Sequence, residues 1–229
     1  MTHLQEELKQ LKESLTEMAV LVKTQLKKSV CSLIDEDDDM ATEVIHNERR
    51  VNAFELQIDR DCAHIFTLLT PVAHDMRFVF STLKINADLE RIGDYAEGIA
   101  KLVLLGKKGF DKQLIKKIEL KRMEDVALEM MDDVTRAYSE DDSKLARSVF
   151  AKDHQLNEIN QNVSHLTVEY SRANIDNMYQ ALLLLSIVRK LERVGDHITN
   201  IAEEIIYFKE AMVLKHGNKG GSDDPTIDL

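Results

Sequence analysis

The chain has 229 residues, of which 44% are hydrophobic and 31% charged, enough for a real core in a globular protein of one or two domains. Its eight glycines and two prolines are too few for a turn-rich β-sandwich or barrel. A net charge of −11 argues against sequence-independent nucleic-acid binding, which rests on Lys and Arg neutralising phosphates.

In chain order, nearly everything reads as helix, because Leu, Ala, Glu, Lys and Met dominate long stretches without Pro or Gly. The opening MTHLQEELKQLKE has no positive segment followed by an apolar core, so no signal peptide is expected. A first helix over about 2–28 gives way to the acidic run 35–39, from which an Asp can cap a second helix over about 39–70. Pro71 is placed to start a third helix in its first turn, running to about Leu105. GKKGFD, 106–111, is the clear internal breaker. A fourth helix runs to about 139, SEDDS at 139–143 forms a turn and cap, and a fifth and a sixth helix span about 143–175 and 178–209. The tail 216–229 is expected to be disordered. The longest apolar stretch, Ala181–Val188, is eight residues where a membrane span needs about 20. Cys31 and Cys62 form no CxxC pair and read as reduced thiols of a cytoplasmic protein. Helices of about 30 residues are about 45 Å long and bury their apolar stripes only against each other, which predicts an elongated bundle.

Two segments repeat. Glu90–Lys101, ERIGDYAEGIAK, and Glu192–Glu203, ERVGDHITNIAE, share Glu, Arg, Gly, Asp, Ile and Ala at an offset of 102. The stripe Leu89, Ile92, Ala96, Ile99, Val103 recurs as Leu191, Val194, Ile198, Ile201, Ile205, the seam of one helix face. Further back, Glu48–Asn52 resembles Asp153–Asn157 at an offset of 105. Three helices are therefore duplicated, giving an all-α protein of two tandem three-helix bundles, 1–105 and 110–212, joined at GKKGFD.

The repeat carries chemistry. Glu90 and Asp94 are one turn apart on one helix face, as are Glu192 and Asp196, and neither Arg91 nor Arg193 is expected to share that face. Like charges at this spacing cost a few tenths of a kcal/mol, and a hard cation would offset that. A solvated surface is the plainer reading of any single ExxxD; the duplication is what gives this one weight. Gly93 and Gly195, costly inside a helix, suggest the close approach of a neighbouring helix or a ligand. Asp75, Glu48 and Asp153 are further acidic candidates that could face the pairs from neighbouring positions. His74 and His197 point away from such a site. Glu43-x-x-His46 has the spacing of di-iron bundles, but those need two such motifs and no second occurs. No nucleophile elbow, phosphate-binding loop or Cys–His site is present, so no enzyme is expected.

LERIGDYAEGIAK, LERVGDHITNIAE and the stretch PVAHDMRFVFSTLKINADLERIGD (71–94) resemble the repeated signature of the PhoU family, the regulators that accompany bacterial high-affinity phosphate uptake. The likeness covers about residues 1–212 and implies two three-helix bundles side by side. It implies a Glu/Asp-x-x-x-Asp metal motif in each, at Glu90 and Asp94 and at Glu192 and Asp196. These would hold multinuclear metal, foremost iron, with Mg, Mn or Zn as alternatives. The family's Asn four residues past the Asp is matched by Asn200 but not by Gly98, which marks the first site as the weaker. The resemblance further implies a negative regulator of phosphate-starvation signalling. Such a protein would be cytoplasmic and homodimeric, linking the transporter's ATPase subunit to a membrane sensor histidine kinase. A ferritin-like di-iron enzyme and a metal-free helical adaptor are the competing readings.

Overall fold

A computed structural model describes residues 2–106 and 109–214. The tail 216–229 lies outside the described residues. Among these residues seven α-helices follow one another: α1 (His3–Ile34), α2 (Asp38–Leu68), α3 (Ala73–Leu105), α4 (Lys112–Lys117), α5 (Leu120–Glu140), α6 (Ser143–Ala173) and α7 (Met178–Glu210), with a 3-10 turn at Ile175–Asn177. No strand occurs among the described residues.

Local chemistry sets the boundaries. Thr2 and Gln5 form a capping box at the start of α1. Asp37 accepts from the backbone of Met40 to start α2, Asp111 accepts from Gln113 and Leu114 to start α4, and Asp142 accepts from Lys144 and Leu145 to start α6. Pro71 does not open α3: the helix begins at Ala73 behind Val72, so the proline belongs to the preceding connection. The single fourth helix expected from sequence is two. Glu119, at φ 56°, closes α4 and redirects the chain into α5. The break lets Phe110, Leu114 and Ile118 tuck into the core on one side while Leu120 and Met123 enter it on the other. Nothing in KKIELKR, with neither Gly nor Pro, marks that turn.

α1, α2 and α3 pack on one another, as do α5, α6 and α7, and the two sets meet along α3–α7 and α1–α5. The buried apolar residues form one continuous cluster through both sets. Phe78 of α3, Tyr138 of α5 and Phe208 of α7 interlock, with Phe78 and Phe208 edge to face at 5.5 Å and the Tyr138 hydroxyl 2.9 Å from Thr82 Oγ1. α3 and α7 run antiparallel: Lys84 bonds Glu204 at 3.1 Å near one end, and Asp88 meets His197 and Asn200 further along.

Candidate functional site

The duplicated glycines sit where two helices come closest. A Cβ on Gly93 would lie 3.0 Å from Val51 Cγ1 and 3.3 Å from Glu48 Oε2. A Cβ on Gly195 would lie 2.6 Å from Leu156 Cδ1 and 2.9 Å from Asp153 Oδ1. Val51 and Leu156, and Glu48 and Asp153, are repeat partners. In each bundle, then, the middle helix lays a carboxylate and an apolar side chain across a glycine of the last helix, a contact that a Cβ would tighten at Gly93 and force to shift at Gly195.

In the first bundle that carboxylate enters an acidic environment. Glu48 is buried, and its Oε1 has no hydrogen-bond partner. Burial pushes its carboxyl up to about 7, and the charges of Asp94, Glu97 and Glu90 push in the same direction, against a smaller opposing pull from Lys101. Glu90 is likewise raised, first by burial and then by Asp94. The pair is thus half-buried beside α2 rather than on an open face. The arginines do reach it: Arg91 Nη1 lies 3.0 Å from Asp94 Oδ2 and its Nε 3.6 Å from Glu90. Arg193 does the same for Asp196 at 3.2 Å and Glu192 at 4.0 Å. The expectation that both arginines point elsewhere fails because a long guanidinium swings back over the one-turn gap.

The structure therefore gathers Glu48, Glu90 and Asp94, and adds Glu97, three residues after Asp94, which the ExxxD pattern alone does not pick out. Continuing the face to ExxxDxxE would have found it. In the second bundle Asp153 lies against Gly195, between Glu192 one turn before and Asp196 just after, and Asn157 donates to its Oδ2 at 2.9 Å. Asn200 turns its amide to Asp88 Oδ1 at 3.2 Å, so that side chain is committed to α3. Asp75 joins neither group. It stands nineteen residues before Asp94 on α3, about 28 Å along the axis, beside His74. Glu43 pairs with Lys28, and both it and His46 are exposed on α2, so the di-iron reading loses its inward-facing motif. Cys31 and Cys62 are free thiols.

A buried carboxylate oxygen without a donor, facing three more carboxylates, fits a hard cation: oxygen ligands, negative charge and a cradle opened by glycine. No three of these carboxylates bring oxygens within 4.8 Å of one another, and side-chain cations already reach them, Arg91 at Glu90 and Asp94 and Lys101 at Glu97, 2.6 Å away.

A three-helix unit used twice, each time with a carboxylate laid over a glycine of an ExxxD helix, defines a tandem helical-repeat protein with paired acidic sites. The chain belongs to the PhoU family: the model of the PhoU domain matches residues 15–103 and again 120–205. The phosphate-specific transport system accessory protein PhoU homolog 1 of Thermotoga maritima is 30% identical over 219 residues, covering 95% of this chain and 94% of its own. Its counterpart PhoU in Escherichia coli is 27% identical over 210 residues, 92% and 86% of the two chains. The crystal structure of PhoU from Pseudomonas aeruginosa superposes with a TM-score of 0.86 at 29% identity, over 91% of this chain and 99% of that one. The phosphate transport system regulatory protein PhoU of Streptococcus pneumoniae gives 0.81 at 28%, over 93% and 100%. Among the described residues no helix is long and apolar enough to cross a membrane.

Proposed function

We propose that this chain is a non-catalytic accessory protein of phosphate uptake that restrains phosphate-starvation signalling from the cytoplasmic side. In this reading it acts as a homodimer, contacts the ATPase subunit of a phosphate transporter and couples it to a membrane sensor histidine kinase. Family membership and relatives named as accessory proteins of phosphate-specific transport support the uptake role. Rigid helical faces without a nucleophile–base pair suit a protein that works through surfaces.

The same reading gives the acidic groups to metal. Glu48, Glu90, Asp94 and Glu97 would hold it in the first bundle, Asp153, Glu192 and Asp196 in the second. A hard cation such as iron, Mg or Mn would supply positive charge there. The single observation that carries this is the partnerless Oε1 of buried Glu48 among three carboxylates. While it is ionised, that carboxylate repels those of α3, and the packing of α2 on α3 has to outweigh the repulsion, which makes their fit sensitive to the charge at the site.

A starvation-promoter reporter tests the regulatory role. Deletion should switch the reporter on when phosphate is plentiful, and the wild-type gene should silence it again. A silent reporter in the deletion strain overturns the proposal. Complementation with Glu90→Ala/Asp94→Asn, alone and with Glu192→Ala/Asp196→Asn, then reports whether signalling needs the acidic groups.

A further inference from the structure

Two histidines and a glutamate meet at the end of the first bundle, far along the helices from the acidic groups. His3 and Glu7 lie one turn apart on α1, with His3 Nδ1 3.9 Å from Glu7 Oε1. His64, four residues before the end of α2, comes back to them because α1 and α2 are antiparallel. One ligand atom from each of the three lies within 4.8 Å of the other two, the one such convergence of His, Cys, Asp and Glu among the described residues.

Two imidazoles and one carboxylate form the ligand set of zinc and its transition-metal neighbours, not of the hard cations that suit the carboxylate groups. Ligands at about 2.0–2.1 Å from a tetrahedral ion stand about 3.3 Å apart. His3 and His64 are both exposed and Glu7 is partly so, leaving room for the small rotations that close the gap. The surrounding charge favours a cation. The last turn of α2 carries no basic side chain, so the carbonyl end of that helix, where positive charge is stabilised, has no counter-charge of its own. One turn before His64, Asp61 adds a carboxylate and Arg60 a guanidinium on the same side of α2, both engaged with Gln57.

We propose that His3, Glu7 and His64 form a zinc-type site that ties the first turns of α1 to the end of α2, leaving a fourth position for water or an incoming ligand. Such a tie adds to the capping box and to the packing of Leu4 and Leu8 at the start of α1, and it joins two helices that the chain otherwise connects only at their far ends.

The test is a titration of untagged full-length protein with Zn²⁺ against a competing chelator, at about pH 7.5, above the ordinary imidazole range. Wild type should take up a zinc ion that His3→Ala and His64→Ala each bind at least about tenfold more weakly. His165→Ala should retain it, although His165 and Glu169 make a similar one-turn pair on α6, at 3.2 Å. Glu90→Ala/Asp94→Asn should retain it too. Zn²⁺ should also slow amide exchange over residues 3–8 and 61–68 in wild type and not in His64→Ala. Equal binding by wild type, His3→Ala and His64→Ala overturns the site. So does loss of binding in His165→Ala or in Glu90→Ala/Asp94→Asn, and either result leaves the phosphate reading untouched.

Discussion

In the first bundle a glutamate crosses Gly93 and meets Glu90, Asp94 and Glu97. In the second an aspartate crosses Gly195, held at one oxygen by Asn157, and Thr199 stands where the first bundle has Glu97. The shorter Asp153 comes closer to its glycine than Glu48 does, and Leu156 closer than Val51. The backbone approach has been kept while the side chains around it have diverged, Glu97 and its partner Lys101 in the first bundle standing where the second has Thr199 and Glu203. The departure at Gly98 takes on a different meaning in this light. Lys190 from α7 lies over that glycine, its Nζ 2.9 Å from where a Cβ would be, so the position is small to admit a lysine. That contact accounts for the small residue by packing alone.

The largest effect that would break this comparison is at Glu48. Its carboxyl is raised to about 7 in the folded, metal-free protein, so the fold binds a proton that the unfolded chain releases. The stability this confers is present below about pH 4.5 and is lost as pH rises through 7. Glu48→Gln should therefore match wild type at low pH and exceed it by up to about 3 kcal/mol above pH 7, measured by urea unfolding with chelator present. A variant less stable than wild type at pH 8 would show that the charge is already compensated.

Gly195→Ala should come next. Fully buried Leu156 must shift, at about 1–3 kcal/mol, partly offset by about 1 kcal/mol of helix propensity. Gly93→Ala should be close to neutral, since its contacts are looser. Equal costs at the two positions would mean that the packing does not differ as described. For metal, removing Glu90 and Asp94 should lower bound iron or Mn²⁺ more than removing Glu192 and Asp196. An affinity about tenfold higher at the first site, equal to 1.4 kcal/mol, should be resolved by titrating each double variant. The reverse ranking would restore the order read from Asn200. The smallest effect is at the α3–α7 contact. Lys190→Met keeps the bulk over Gly98 but loses the charge 5.5 Å from the Tyr95 ring centroid, a change of about 0.5–1 kcal/mol by thermal unfolding.

The duplication, the apolar seams and most helix ends were legible in the sequence, because they rest on periodicity and on Asp and Thr caps. Gly93 and Gly195 announced a close approach that the structure supplies from Glu48 and Asp153. What the sequence did not carry depends on rotamers and on neighbours distant in the chain. The reach of Arg91 across Glu90 and Asp94 is a matter of side-chain length. The commitment of Asn200 to Asp88 depends on the α3–α7 register. The turn at Glu119 has no residue type that demands it. His3 and His64 are 61 positions apart and unremarkable singly.

The contact between α3 and α7 records what joining two repeats in one chain permits. Residue 88 corresponds to 190, 95 to 197 and 98 to 200. On one side Asp88 bonds His197 at 2.7 Å and Asn200; on the other Lys190 covers Tyr95 and Gly98. Were the two repeats separate identical subunits paired about a two-fold axis, symmetry would force the same residue into both places, acid twice or base twice. Covalent linkage lifts that requirement. Each half then diverges as the other's dedicated partner, and a half expressed alone has no equivalent copy of itself to fit.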